Sequence, residues 1–305
     1  MDFKSPTTRI GLPFLVFIIL GIIFKDSSFS VYLIIIGLVG GSLLFAFRQP
    51  IHWHWYAQSP PLIESEMIQI VAAKVPFYRA LSPENKKHFL RRMSLFMMAK
   101  EIESLNEDEK LPADIKGLIA ASAVQINFGK EEFLFPEFKK IIVHPGLFLS
   151  ASLNRQFHGS ETFIDPEYKG HSCLIFAGDR LMHAFKDSKS GYNILLHELA
   201  NVFMEKNNLH HIEEKLKKDK DILKLFASIR GFNYIQILEY TKNPKMSYFG
   251  LAIEHFYFNP EKFREVLPEL FEELKQVLNQ NPLNKSNPVI ESIDYQLLLE
   301  KNKIY

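Results

Sequence analysis

The chain has 305 residues, which is enough for a membrane element plus one sizeable domain, or for two ordinary domains. Its composition is 47% hydrophobic and 13% aromatic, with 27 Phe, which excludes a disordered chain and favours a well-buried fold. Lys and Arg total 36 against 35 Asp and Glu, so there is no overall basic surface and we expect no nucleic-acid partner.

Two apolar segments stand at the beginning of the chain. Residues 10–24 are apolar apart from Gly and Pro, and residues 29–47 form a second run of 19 residues interrupted only by Gly and Ser. At about 1.5 Å per residue the second run reaches roughly 28 Å, close to the hydrocarbon thickness of about 30 Å. We therefore predict that residues 1–50 form a two-helix transmembrane hairpin, with spans at about 8–26 and 29–47.

A signal peptide is the alternative interpretation of the first segment, because a charged start precedes its apolar run. No small-x-small cleavage site follows, and a second apolar run comes at once, so the hairpin is preferred. Lys4 and Arg9 precede the first span and Arg48 follows the second, whereas the turn carries Lys25 alone. The positive-inside rule then places both ends in the cytoplasm. With the unpaired Cys173, typical of a reducing compartment, this predicts a bacterial inner-membrane protein with a cytoplasmic domain.

Residues 51–74 are predicted to be an interfacial linker. Trp53, Trp55 and Tyr56 belong to residue types that prefer the headgroup level of a bilayer, and Pro60 and Pro61 end a helix there. From residue 75 the sequence is that of a globular domain, which we place at 75–282, followed by a polar tail at 283–305.

The first half of this domain combines helical and strand patterns. Ser82 and Pro83 begin a helix whose apolar residues repeat to about Lys100, and a second helix begins near Pro112. Residues 140–143 and 173–176 are short β-rich runs bounded by Pro or Gly, which predict strands. The fold class expected is therefore α+β, mostly helical with a small sheet.

The second half is predicted to be helical. Residues 247–258 are apolar almost all round, so this helix must be buried. Asn259 and Pro260 begin the next helix, which Pro268 should kink or split. The sequence contains no internal repeat.

Residues 193–206 contain an incomplete metallopeptidase motif. In H-E-x-x-H the two histidines leave one helix face to hold zinc, and the glutamate activates the zinc-bound water. Here His197 and Glu198 are followed by Asn201 at the place of the second histidine. A lone His-Glu pair is common on helices, and the apolar stripe around His197 would also suit an ordinary buried histidine.

The order of segments resembles the glucose-regulated metallopeptidases related to Mlc titration factor, a zincin group with an HExxH helix and a distant glutamate ligand. The likeness covers roughly residues 75–282, beginning with Val-Pro-Phe-Tyr-Arg-Ala-Leu, and Gly191-Tyr192-Asn193 precedes Leu-Leu-His-Glu as in the family. Downstream, the family has a tyrosine seven residues before E-F-F-A-V-x-S-E-x-F-F. This chain has Tyr240 and then, from Ser247, Ser-Tyr-Phe-Gly-Leu-Ala-Ile-Glu-His.

The resemblance implies a zincin-like peptidase domain in which two of three zinc ligands have changed. His197 and Glu198 keep the positions of the first ligand and the general base, whereas Asn201 and Ser247 stand at the other two ligand positions. Amides and hydroxyls are uncommon zinc ligands because they are neither strong neutral-nitrogen nor anionic donors. We therefore predict a vestigial site with no cofactor.

Tyr240, Glu254 and His255 are the other residues that we assign to the cleft. If His255, His210 or His211 replaced a lost ligand, zinc would bind and the protein would be an active metallopeptidase. Their spacing matches no known ligand pattern, so we expect His255 to pack or hydrogen-bond locally and His210 and His211 to lie in a solvated loop.

These observations support one preferred function and two alternatives. The preferred hypothesis is a membrane-anchored, zinc-peptidase-like pseudoenzyme that binds a protein or peptide partner in a regulatory role. The alternatives are an active zinc metallopeptidase with substitute ligands, and a purely structural membrane protein whose cleft has no ligand.

Overall fold

The structure, a computed structural model, describes residues 6–105, 110–146, 148–150, 155–157, 160–164, 172–186, 193–231, 246–291 and 302. The chain divides into two compact units. The first contains residues 1–61 with 296–305, and the second contains residues 62–295.

The first unit contains three helices, α1 (Pro6–Ile23), α2 (Ser30–Ala46) and α3 (Arg48–Gln58). α1 and α2 run antiparallel and pack closely where glycines remove side-chain bulk. A Cβ atom at Gly37 would lie 2.4 Å from Ile18 Cγ1, and one at Gly21 would lie 2.8 Å from the Ser30 carbonyl oxygen. Small residues at these positions therefore let the two helix backbones approach each other.

The two predicted spans correspond to α1 and α2. In the described part of the chain no single helix is both long enough and apolar enough to cross a bilayer, although α2 and residues 50–58 meet that test together across a bend of 66°. The membrane assignment therefore stays a prediction. The segment predicted as a linker is largely helical, since it contains α3, which ends before Pro60, and the helix Ser65–Lys74.

The first helices of the second unit are α4 (Ser65–Lys74), α5 (Pro76–Ala80) and α6 (Pro83–Ala99), and α7 (Ala113–Asn127) follows after one strand. The Ser82 hydroxyl accepts a hydrogen bond from the Asn85 backbone N–H at 3.3 Å, and Pro83 occupies the first turn of α6. This confirms the predicted helix start, since Ser at the cap satisfies one of the unpaired backbone donors of the first turn.

A four-stranded sheet lies in the middle of the second unit. Its strands are β1 (Glu101–Ser104), β2 (Phe138–His144), β5 (Ser160–Ile164) and β6 (Ser172–Ala177), in the order β1-β2-β6-β5. β1, β2 and β6 are parallel, and β5 pairs antiparallel to β6 in the register Thr162 to Leu174. β3 (Phe148–Ser150) and β4 (Arg155–Phe157) form a separate antiparallel pair. The two strands predicted from sequence are β2 and β6.

The remaining helices complete the second unit: α8 (Gly178–Lys186), α9 (Ile194–Lys206), α10 (His210–Lys218), α11 (Ile222–Arg230), α12 (Tyr248–Phe258), α13 (Pro260–Val266) and α14 (Pro268–Leu278). α12 is buried as predicted, with eight buried residues from Phe249 to Phe256. The helix predicted after Pro260 is split at Pro268, because proline cannot continue the hydrogen-bond ladder of α13. The α+β class, mostly helical with a small, largely parallel sheet, is confirmed.

Candidate functional site

The incomplete zinc motif lies on α9, which packs against α12 in the interior of the second unit. Asn193 caps α9, because its side-chain oxygen accepts a hydrogen bond from the Leu196 backbone N–H at 2.9 Å. One turn further on, the side chain of His197 is completely buried. The cap and the apolar face of α9 therefore fix the direction in which His197 points.

Both ring nitrogens of His197 are occupied by contacts with α12 and its first residues. Nδ1 lies 2.8 Å from Glu254 Oε1, and Nε2 lies 3.0 Å from the backbone nitrogen of Ser247. A backbone N–H only donates, so Nε2 is the unprotonated acceptor and Nδ1 carries the proton that it donates to Glu254. The imidazole is thus held in a single tautomer between two partners.

Asn201 and Ser247, at the two positions where the resemblance implies zinc ligands, are joined to each other. The Ser247 hydroxyl donates a short hydrogen bond to Asn201 Oδ1 and accepts one from the Gly250 backbone N–H at 2.8 Å. Asn201 Nδ2 lies 3.5 Å from Glu198 Oε2, as a long donor. The structure therefore brings His197, Glu198, Asn201 and Ser247 together, as the resemblance implies, but it links them by hydrogen bonds.

A buried ion pair holds Glu254 in place. Its Oε2 atom accepts hydrogen bonds from Arg230 Nη2 at 2.7 Å and from the Asn193 backbone N–H at 3.0 Å. The side chains of Glu254 and Arg230 are 0% and 3% exposed. With His197 on its other oxygen, this carboxylate is fully engaged, which is what a buried charge requires.

The residues at this site do not fit a zinc ion. Zinc binds an imidazole nitrogen at about 2.0–2.1 Å, so an ion on the lone pair of Nε2 would overlap the Ser247 nitrogen, 3.0 Å away. The helices leave little space here, since a Cβ atom at Gly250 would lie 2.6 Å from the His197 ring. Within the described residues, no group of three or more His, Cys, Asp and Glu side chains is arranged to hold a metal ion.

The proposed substitute ligands lie elsewhere. His255 is completely buried and stacks on Phe226 with ring centroids 5.1 Å apart, and neither of its nitrogens has a hydrogen-bond partner within the described chain. Burial, with a smaller contribution from Arg230, lowers the pKa of His255 well below its ordinary value. His210 and His211 are exposed and pair with Glu205 at 3.1 Å and Glu273 at 3.6 Å.

Tyr240, the remaining residue assigned to the cleft from sequence, lies outside the described residues. Sequence reasoning missed Arg230, Asn193 and Gly250. Asn193 and Gly250 carried a signal, because Asn193 belongs to the family match before His197 and the family pattern has alanine at position 250, whereas Arg230 carried none.

A comparison with known protein families identifies the family of this chain. The sequence profile described as glucose-regulated metallo-peptidase M90 matches residues 51–278, well over half of the chain. The chain belongs to the glucose-regulated metallo-peptidase M90 family. An uncharacterized protein of Synechocystis sp. is 24% identical over 247 residues, which cover 77% of this chain and 81% of that relative.

Membership of the M90 family confirms the resemblance inferred from the motifs. The match begins at residue 51, so it includes most of α3 and all of α4 and extends upstream of the domain start predicted at residue 75. The cluster of His197, Asn201 and Ser247 can therefore be compared with the family's zinc site. In this chain these three residues are joined by hydrogen bonds at the positions where the resemblance implies zinc ligands.

Proposed function

We propose that this protein is a membrane-anchored member of the M90 family that has lost zinc binding and peptidase activity and acts as a protein-binding, regulatory pseudoenzyme. The observation that carries the proposal is the hydrogen bond from the Ser247 backbone N–H to His197 Nε2 at 3.0 Å. This contact occupies the ring nitrogen on which a metal would bind, and it comes from the main chain, so no side-chain rotation removes it.

The chemistry of the remaining residues supports the same conclusion. A metallopeptidase needs the metal to lower the pKa of its bound water, which the adjacent glutamate then deprotonates. Glu198 is buried and accepts a long hydrogen bond from Asn201. Without a zinc-bound water beside it, Glu198 has no substrate for general-base catalysis.

The exposed surface of the first unit supports membrane anchoring. Large apolar side chains on α1 and α2 point outward, among them Ile23 at 63% exposure, Leu38 at 56% and Phe45 at 68%. Contiguous apolar surface of this kind on a water-soluble protein is rare and marks a contact with a membrane or a partner. We take the membrane as its partner because the sequence of residues 10–47 is almost uniformly apolar.

What is kept and what is changed support a binding role, which is what the resemblance implies. The helices that carry the former ligand positions are all present, and the changes lie at the chemical groups themselves. A domain that keeps these helices without catalysis can still bind a protein or peptide on its surface. Such binding is the regulatory role proposed here.

The decisive experiment measures zinc and hydrolysis together on the full chain. We expect less than 0.1 zinc per chain, as an order-of-magnitude bound for a site lacking two ligands, after dialysis at neutral pH against micromolar zinc. Aminoacyl chromogenic substrates should not be hydrolysed above the rate of the His197→Ala variant. Stoichiometric zinc that disappears in His197→Ala, or hydrolysis that depends on Glu198, would establish the active metallopeptidase instead.

The binding role needs its own measurement. Affinity purification of the full chain from solubilised membranes should recover a protein partner in stoichiometric amount. Recovery of the chain alone under mild conditions would favour the purely structural membrane protein.

A further inference from the structure

The third helix of the first unit, α3, differs in composition and direction from the two apolar helices before it. It contains Arg48, two histidines, two tryptophans and a tyrosine. A cation and several polar groups are costly to place among lipid chains, whereas Trp and Tyr favour the level of the headgroups. The bend of 66° between α2 and residues 50–58 turns the chain away from the axis of α2. Both properties suit a helix that lies at the surface of a bilayer.

One face of α3 is buried and the opposite face is exposed. α3 contacts α1 and α2, and Trp53 and Ala57, one turn apart on the same side, are 8% and 3% exposed. Arg48 is exposed and Trp55 is 48% exposed. These two positions are two turns apart, on the side roughly opposite to Trp53. α3 therefore presents a cation and an aromatic ring together on its exposed face.

The Arg48 side chain is positioned to bind an anion. Its guanidinium carbon lies 4.6 Å from the centre of the Phe45 ring, and among the described residues its side chain forms no hydrogen bond and no ion pair. A guanidinium stacked on an aromatic ring keeps its N–H donors available at its edge. Such planar donors match the paired oxygens of a phosphate group. The contact with Phe45 thus orients a phosphate-binding group.

The charge of the neighbouring sequence also favours an anionic ligand. No Asp or Glu occurs between Asp26 and Glu64, so α2 and α3 contain no carboxylate that could compete for Arg48. Arg9 belongs to the start of α1, which lies at the same end of the antiparallel hairpin. Charge of one sign at this end is complementary to the anionic lipids of the cytoplasmic leaflet.

The apolar surface beside Arg48 indicates that the anion belongs to a lipid. Phe45 and Phe47, at the end of α2, are 68% and 57% exposed. A small soluble anion would leave these rings in water, and an acidic protein surface offers few apolar groups to cover them. A phospholipid presents a phosphate directly above its acyl chains, so one molecule matches both the rings and the cation.

We propose that α3 binds the headgroups of anionic phospholipids, with a phosphate at Arg48 and the Trp55 ring at the level of the headgroups. This inference rests on the membrane anchoring proposed above and adds a preference for one class of lipid to it. The binding requires neither metal nor catalysis, so it is independent of the chemistry at His197.

The chain carries its own fluorescent probe for this test. Trp53 and Trp55 are its two tryptophans, so tryptophan emission reports on α3 alone. The full-length Trp53→Phe variant is reconstituted into vesicles of equal parts phosphatidylcholine and phosphatidylglycerol, with one or the other lipid dibrominated in its acyl chains as the quencher. Quenching should show phosphatidylglycerol enriched about fivefold around Trp55, the factor expected for one Arg near an anionic surface. Salt at 1 M should remove most of this enrichment by screening.

Matched variants assign the enrichment to Arg48. Arg48→Gln should abolish it, and Arg48→Lys should keep most of it because the charge is retained. Lys25→Gln is the control, since Lys25 is exposed in the turn at the opposite end of the hairpin and its loss should leave the enrichment unchanged. In a Trp55→Phe chain, the buried Trp53 should be quenched less than Trp55 by either lipid.

Flotation with the vesicles separates failure of this proposal from failure of the anchor. If the chain floats but the two brominated lipids quench Trp55 equally, or if Arg48→Gln keeps the enrichment, the proposal is overturned while the anchor stands. The same holds if Trp53 is quenched more than Trp55. Quenching by neither lipid in a floating chain also overturns the proposal and assigns the exposed face of α3 to a protein partner. A chain that does not float overturns both the proposal and the anchor.

Discussion

At the scale of single residues, the most consequential contact is the ion pair between Arg230 and Glu254, because it lies in the interior and also supports His197. The pair is 2.7 Å long and almost completely buried. Removing one partner of a buried pair leaves the other charge without compensation and costs about 3–5 kcal/mol. We therefore predict that Arg230→Met lowers the free energy of unfolding by this amount, measured by urea denaturation.

The control for this prediction is an exposed pair of the same length. Lys224 and Asp221 also lie 2.7 Å apart, but their side chains are 62% and 65% exposed. Such pairs contribute about 0–1 kcal/mol, so Lys224→Met should change stability little. Equal losses of unfolding free energy in the two variants would show that the buried Arg230 pair contributes no more to stability than the exposed pair.

A second buried charge, Lys100, predicts a dependence of stability on pH. Its ammonium group donates short hydrogen bonds to the carbonyl oxygens of Phe135 and Phe138 and lies 4.7 Å from the centre of the Phe138 ring. Burial lowers the pKa of Lys100 to about 7, with Glu137 opposing the shift and Lys206 adding to it.

The sign of the effect follows from proton binding. Between pH 7 and the ordinary lysine pKa of 10.5, the unfolded chain holds a proton at Lys100 that the folded chain has lost. Stability therefore rises with pH in this window, and falls again as pH drops toward 7. Relative to Lys100→Met, the wild type should gain up to about 1 kcal/mol per pH unit between pH 7 and 9. Parallel stability profiles in urea denaturation would contradict this.

Residue contacts were only partly predictable from sequence. The convergence of His197, Asn201 and Ser247 was implied by the resemblance to the metallopeptidase family, and the structure places all three side by side. The partnership of Arg230 with Glu254 has no such signal, because nothing in the order of residues indicates that the last turn of α11 meets the middle of α12. The engagement of Nε2 by a backbone N–H was equally hidden, since motif analysis considers only side chains.

At the scale of elements, the close contact between α9 and α12 limits the space for a metal ion at His197. The notable position is Gly250, where a Cβ atom would lie 2.6 Å from the His197 ring and where the family pattern has alanine. A methyl group there would push α12 away from α9, at a cost of about 1–3 kcal/mol for overpacking. The shift would also draw the Ser247 N–H back from Nε2.

We therefore predict that zinc affinity increases stepwise when ligand residues and then a methyl group at position 250 are introduced. The double variant Asn201→His, Ser247→Glu should bind zinc poorly, because the backbone of residue 247 still occupies the lone pair of His197 Nε2. Adding Gly250→Ala should tighten zinc binding at least about tenfold, the factor that corresponds to about 1.4 kcal/mol. Competition with a chromogenic chelator measures both. If the double variant already matches the triple variant, the helix separation is not what excludes the metal.

The elements themselves were more predictable than their contacts. α6, α7 and α12 and the strands β2 and β6 carry strong periodic patterns with proline or serine at their ends, and sequence placed all five. β1 and β5 were missed because they are short edge strands of four and five residues whose formation depends on pairing with β2 and β6. The helices α3 and α4 were assigned to a linker because the two prolines between them outweighed their modest apolar pattern.

At the scale of the whole molecule, the division into an apolar N-terminal unit and a peptidase-like unit follows from composition. The hairpin of α1 and α2 matches the two apolar runs, since each run is long and uniform enough to predict a helix. The sequence does not distinguish contact with lipid from contact with protein, because an apolar helix uses the same hydrophobic surface for both. A topology experiment is therefore needed.

The sequence offers a clean design for that experiment. Cys173 is the single cysteine and is completely buried, so it should react slowly with a membrane-impermeant maleimide. Ser27, in the turn between α1 and α2, and Ser59, after α3, are both exposed. In intact bacteria we expect Ser27→Cys to be labelled and Ser59→Cys to be labelled only after the cells are opened, because the positive-inside rule places both ends of the hairpin in the cytoplasm. Labelling of Ser59→Cys alone would mean an inverted hairpin. Protection of both positions until lysis would mean that neither apolar helix crosses the membrane, and the anchor proposed here would have to be abandoned.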